Sequence, residues 1–112
     1  MRIRITTRQV RTGCPAEITL SVINGTWKVP ILFHLAKQTR RFSELRRDIQ
    51  GVSQKVLTQQ LREMERDGIV HRKVYAQVPP KVEYSLTVTG RSLLPVVKVM
   101  CQWGEARRRR GG

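Results

Sequence analysis

The run Val52-Ser53-Gln54-Lys55-Val56-Leu57-Thr58-Gln59-Gln60-Leu61-Arg62-Glu63-Met64-Glu65-Arg66-Asp67-Gly68 decides how this chain folds. At 3.6 residues per turn, Val56, Leu57, Leu61 and Met64 fall on one side of a helix, with Ser53 and Gln60 beside them. Lys55, Thr58, Gln59, Arg62 and Arg66 fall on the other. Ser53 is placed to cap the start, and Gly68 to end the helix in a left-handed turn. The outward face carries cations, amides and a hydroxyl, which suit phosphate oxygens and the base edges of the DNA major groove. A solvated amphipathic helix of no special function would show the same pattern, so the flanking segments carry the decision.

Before this run, Pro15 suits the first turn of a helix that carries Ile18 and Val22 on one side, with Leu20 and Ile23 nearby, and stops at Asn24-Gly25. A second helix is predicted from about Trp27, with Pro30 tolerated in its first turn and Ile31, Leu32 and Leu35 as its buried stripe. Ala36 to Arg40 reads as a connecting turn. Phe42, Leu45 and Ile49 mark a short third helix within Arg41–Ile49, and Gln50-Gly51-Val52 is a tight turn into the next helix. Two short helices joined by a Gly-containing turn, the second basic on its outer face, are the helix-turn-helix pattern.

After Gly68 the period changes. Ile69–Tyr75 is rich in strand formers, and Lys81–Leu86 alternates so that Val82, Tyr84 and Leu86 share a face. Ala76-Gln77-Val78-Pro79-Pro80 between them cannot continue a ladder, because proline lacks the donor. This is a hairpin, with Arg72, Lys73 and Lys81 making it basic. A last helix is predicted from Thr87 or Thr89 to about Glu105, with Pro95 kinking it or resetting its start. Leu93, Val96, Val97, Met100, Cys101 and Trp103 leave it apolar over much of its girth, so it wants a partner besides its own core. Cys101 on that apolar face reads as a buried small hydrophobe.

The 112 residues suit one domain and one core. There are 22 Lys and Arg against 8 Asp and Glu, a net charge of +14. Arg2, Arg4, Arg8 and Arg11 at one end and Arg107 to Arg110 at the other contribute part of it, yet residues 13–106 still carry 14 basic and 8 acidic residues. A polyanion partner follows, with nucleic acid the commonest and an anionic membrane surface the rival. No segment approaches the ~20 apolar residues of a bilayer span, and no apolar run of signal-peptide length follows the basic start, so a cytoplasmic location is expected. Cys14, Cys101, His34 and His71 lack metal-ligand spacing, so no metal site and no cofactor is expected. Neither a Ser/His/Asp set, a carboxylate pair nor a glycine-rich phosphate loop is apparent, which excludes an enzyme by this reading. His34 reads as a hydrogen-bonded packing residue, Trp27 as a core or seam residue, and Glu17 as support for the first helix.

Together these elements predict an α+β winged helix-turn-helix: mainly helical, with a β-hairpin wing at about 69–86 and extra terminal helices. Residues 1–12 read as a flexible basic arm, 13–106 as the domain and 107–112 as a basic disordered tail. In such a fold the helix at about 53–66 enters the major groove. Lys55, Thr58, Gln59 and Arg62 are the base-reading candidates, with Ser53 and Gln54 at the helix start. Arg46, Arg47, Arg66, Arg72, Lys73 and Lys81 suit phosphates.

The same residues resemble a known family. Cys14-Pro15-Ala16-Glu17, Gly25-Thr26-Trp27-Lys28, Arg41–Arg46, Ser53–Arg62, Asp67-Gly68, Val78–Thr87 and Gly90-Arg91-Ser92-Leu93 look like the HxlR-type, MarR-related winged-helix regulators over roughly Cys14 to Trp103. The resemblance implies a homodimer on near-palindromic operator DNA, acting as repressor or activator, with the first and last helices as its seam. Ile18, Val22, Val97, Met100, Cys101 and Trp103 are the seam candidates. Cys14, at a helix start near Arg11, is a candidate sensor of oxidants or electrophiles, because helix N-termini and cations favour the thiolate; some members use a cysteine in this position so. Rival readings are a nonspecific architectural or chromatin protein, an RNA binder, and an interaction module that kept the fold but lost DNA binding. Few aromatics (5%) argue against RNA.

Overall fold

The structure, a computed structural model, describes residues 11–111. The predicted flexible arm over 1–12 therefore lies almost wholly outside the described residues. Its last two, Arg11 and Thr12, are tied down: both backbone N–H groups donate to the Glu17 carboxylate. A hydrogen bond with the Thr12 side chain, followed by those backbone bonds, holds the Glu17 carboxyl below the usual carboxylate range.

The elements run α1 (Ala16–Ile23), α2 (Lys28–Lys37), β1 (Arg40–Arg41), α3 (Phe42–Asp48), α4 (Gln54–Arg66), β2 (Val70–Tyr75), β3 (Lys81–Leu86), α5 (Val88–Ser92) and α6 (Leu94–Arg109). The sheet is antiparallel in the order β1-β3-β2. Register pairs Arg72 with Tyr84 and Val74 with Val82 across the hairpin, and Arg40 with Tyr84 on the other side of β3. This is the α+β winged helix-turn-helix that the periodicities predict.

Local chemistry sets the boundaries. Ser53 Oγ accepts from Val56 N–H at 3.1 Å, capping α4. At its other end Gly68 takes φ +77°. That left-handed step lets Ile69 N–H donate to Met64 C=O and Gly68 N–H to Glu65 C=O, the paired bonds of a Schellman ending. Glu44 accepts from Arg41 N–H at 2.8 Å and so starts α3. Thr87 caps α5 through Gly90 N–H at 2.9 Å and fastens it to the sheet by donating to Gly68 C=O at 2.6 Å. Gly90 is obligatory there: a Cβ would stand 2.2 Å from the Ile69 carbonyl oxygen.

One core joins all layers, with Ile31, Leu32, Leu35, Leu45, Leu57, Leu61, Met64, Val70 and Val97 at its centre. No helix among the described residues is long and apolar enough to cross a membrane.

Six expectations need correction. Residues 36–40 are not all turn: α2 continues to Lys37, and Arg40-Arg41 form a short strand on the free edge of β3. Pro95 does reset the last helix, but that helix runs on to Arg109 rather than Glu105. The Arg107–Arg109 run is therefore helical and not a disordered tail; cations at a helix C-terminus complement its dipole. Val22 and Val97 belong to the chain's own core, so they are not free to form a seam. Cys101 is exposed, not buried. Finally, His34 is not held as a hydrogen-bonded residue through Nδ1, which is buried with no hydrogen-bond partner among the described residues.

Candidate nucleic-acid interface

Helix α4 is held from behind by Leu57, Leu61 and Met64, each at most 1% exposed. That anchoring turns Gln54, Lys55, Gln59, Arg62 and Arg66 to solvent, with Thr58 half-buried among them. Together with Glu63 they line one open, shallow depression along the helix. The Thr58 hydroxyl donates to Gln54 C=O at 2.8 Å, so it meets a ligand as an acceptor and a methyl group rather than as a donor. Ser53 is exposed at the start of the helix, with its oxygen engaged in the cap.

Two neighbouring hollows extend this surface. One lies between α4 and the sheet and brings Arg72 of β2 beside Thr58, Arg62 and Glu65. The other lies at the α3–α4 corner and brings Arg46 and Arg47 beside Gln54. Arg47 is 71% exposed and pairs with Asp48 at 3.3 Å, a contact worth little against solvent. The remaining wing cations form a separate cluster. Lys73 and Lys81 sit over the Tyr75 ring at 4.9 and 4.6 Å. The Tyr75 hydroxyl donates to Glu83 at 2.9 Å, and that bond, helped by Lys81, holds the Glu83 carboxyl below its usual range. Eleven of the twelve predicted contact residues thus stand on α3, α4 or the hairpin, in three linked patches and one wing cluster, and Ser53 caps the start of α4.

One residue of this surface was missed by sequence reasoning. Glu63 Oε1 accepts from Lys28 Nζ at 2.7 Å, and Oε2 faces Gln59 Nε2 at 3.4 Å. Lys28 is 1% exposed and also donates to Asn24 Oδ1 at 2.9 Å. The hydrogen bond from Lys28 holds the Glu63 carboxyl below the usual carboxylate range. The signal available was a lysine inside a run of apolar α2 residues, which demands a partner.

The seam candidates divide. Ile18 is half-buried on α1, while Met100, Cys101 and Trp103 are exposed on α6. Leu20, Val96 and Val99 add to the apolar exposure of the same two helices. Cys14 is exposed just before α1.

A basic helix of this kind, backed by a core and followed by a basic hairpin, defines a winged helix-turn-helix protein. The chain belongs to the HxlR-like helix-turn-helix family, which matches residues 22–111. It is 55% identical over 98 residues to the HTH-type transcriptional regulator YybR of Bacillus subtilis, covering 88% of this chain and 78% of that one. The redox regulator HypR, solved in its reduced form, superposes with a TM-score of 0.80 at 55% identity, covering 85% of this chain and 94% of that chain. The reduced transcriptional regulator YodB of B. subtilis superposes at 0.74 with 35% identity, covering 82% of this chain and 91% of that one. The chain is accordingly a helix-turn-helix transcriptional regulator, and its relatives share that non-enzymatic role.

Proposed function

We propose that the chain is a cytoplasmic, sequence-specific regulator that binds a near-palindromic operator as a homodimer. Helix α4 enters the major groove and the β2–β3 wing follows the adjacent backbone or minor groove. The observation that carries this reading is the outward face of α4: Lys55, Gln59 and Arg62 exposed in a row over fully buried Leu57 and Leu61. Gln54, Lys55, Thr58, Gln59 and Arg62 read bases, while Arg46, Arg47, Arg66, Arg72, Lys73 and Lys81 neutralise phosphates. Exposed Met100 and Trp103 on α6, with Ile18 and Leu20 on α1, form the seam.

Selection of sites from random DNA, followed by footprinting, tests the reading. A two-fold symmetric motif is expected, bound more than ~10³-fold tighter than random DNA at physiological salt. The net charge of +14 favours a second reading, a nonspecific architectural DNA protein, for which no motif would emerge.

Cys14 completes the proposal as a sensor of oxidants or electrophiles. Its exposure and the similarity to HypR support this, since HypR is solved in both reduced and oxidised forms. Cys14→Ser should bind operator normally and no longer release it on treatment with diamide or a quinone. Equal release of variant and parent protein would refute the role.

A further inference from the structure

The DNA-facing depression of α4 contains one carboxylate, and its placement is not accidental to the fold. Glu63 lies one turn beyond Gln59 on the same face. A carboxylate in such a place opposes phosphate unless its charge is met. Lys28 meets it, from a position almost wholly inside the core and fixed in turn by Asn24 at the end of α1. Glu63 is therefore held in one orientation by a buried cation, with Oε2 left to face Gln59.

That arrangement decides which way the Gln59 amide points. An ionised carboxylate only accepts, so the amide must offer it an N–H; the opposite flip would set two acceptors against each other. The amide has two hydrogens. A two-point contact with a base needs Glu63 to take the one that points away from the carbonyl oxygen. Gln59 is exposed, so the edge carrying the carbonyl oxygen and the other hydrogen is then left for a ligand. An acceptor beside a donor is the pair that matches adenine, whose N6 donates and whose N7 accepts in the major groove.

We infer that Glu63, locked by Lys28, is a specificity-determining positioning residue: it presets the Gln59 amide to read adenine. This inference rests on the proposed placement of α4 in the major groove. Glu63 itself need touch no base. The donor of Lys28 also links the end of α1 to the reading face, since Asn24, Lys28, Glu63 and Gln59 form one continuous hydrogen-bonded chain.

The test is site selection with the full chain, its Gln59→Ala variant and its Glu63→Gln variant. Gln59→Ala identifies the base pair facing Gln59 as the position where preference disappears. At that position the parent protein should prefer adenine by ~10-fold or more, the discrimination expected of one bidentate contact. In Glu63→Gln, the new amide gives its oxygen to Lys28 and turns its NH₂ toward Gln59. The Gln59 amide then flips and presents donors, so the preference should move toward guanine, whose N7 and O6 both accept. Preference elsewhere in the motif should stay unchanged, which loss of fold would not allow. Should Glu63→Gln fail to fold, Lys28→Met with Glu63→Leu replaces the pair by apolar groups, a change such sites tolerate. That double variant should bind the motif with no preference at the Gln59 position. An unchanged adenine preference in either Glu63 variant overturns the inference while leaving the proposed DNA reading intact. A parent protein that selects no motif overturns both.

Discussion

Helices α4 and α6 each bury one side and offer the other to solvent, and what they offer is opposite. The outer face of α4 is Lys55, Gln59, Arg62 and Arg66. The outer face of α6 is Val96, Val99, Met100 and Trp103, the last 71% exposed. Hydrated cations on a helix need no partner and are available to a polyanion. A contiguous apolar face is costly in water and marks a protein contact. The difference underlies the two proposed roles of one small domain: α4 to meet nucleic acid, and α6, with Leu20 of α1, to meet a second copy. A domain of this size has a poor ratio of core to surface, so burying the α6 face also helps it fold.

Breaking either side of this contrast should have distinct consequences. The largest loss is expected where α4 is braced. Leu61→Ala removes a fully buried side chain and should lower stability by ~2–5 kcal/mol in denaturant unfolding. Next comes the α6 face. Trp103→Asp should convert the dimer to monomer in sedimentation equilibrium and cost ~2–4 kcal/mol of operator affinity, while leaving the helical content of the chain unchanged. A dimer that survives this substitution would move the seam elsewhere. On the α4 face, Arg62→Ala should cost ~1–3 kcal/mol at one base position and little on other sequences. Arg72→Ala should weaken binding to every sequence alike and reduce the salt slope by about one unit per half-site. An Arg72 variant that changes base preference instead would place the wing in a reading role.

The smallest effect concerns acid. Glu63 is held below its ordinary value of 4.5 first by the Lys28 hydrogen bond. A depressed carboxylate adds stability above its unfolded-state value and loses it as pH falls through the folded one. The Glu63 contribution to stability should therefore be full above about pH 5 and be lost as pH falls below 4.5, with Glu63→Gln showing a shallower decline in urea titrations.

How far the sequence could be read varies by element, for physical reasons. Helix α4 was legible in full because period, cap and stop agree: Ser53, the Leu57–Leu61–Met64 stripe and Gly68 all point to one helix. The hairpin was legible because Lys81–Leu86 alternates. Strand β1 was not, since two arginines carry no strand signal and pair only because β3 leaves an edge beside them. Burial of Val97 was illegible for a different reason. A helix apolar around most of its girth does not declare which side faces its own core. The Lys28–Glu63 pair joins residues 35 apart in sequence, a separation that no local pattern records. The exposed polar face of α4 was thus readable residue by residue, whereas the Lys28–Glu63 pair beside Gln59 required the fold.

Cleavage of bound DNA from a fixed point on α4 tests the central claim most directly. Glu65 is exposed on α4 beside the contact face. An iron chelate attached to Glu65→Cys, in a chain with Cys14 and Cys101 both changed to Ser, should cut the selected site in two clusters about one helical turn apart, ~34–36 Å along the duplex. Cuts scattered evenly along the DNA, or a single cluster, would contradict a pair of α4 helices lodged in successive major grooves.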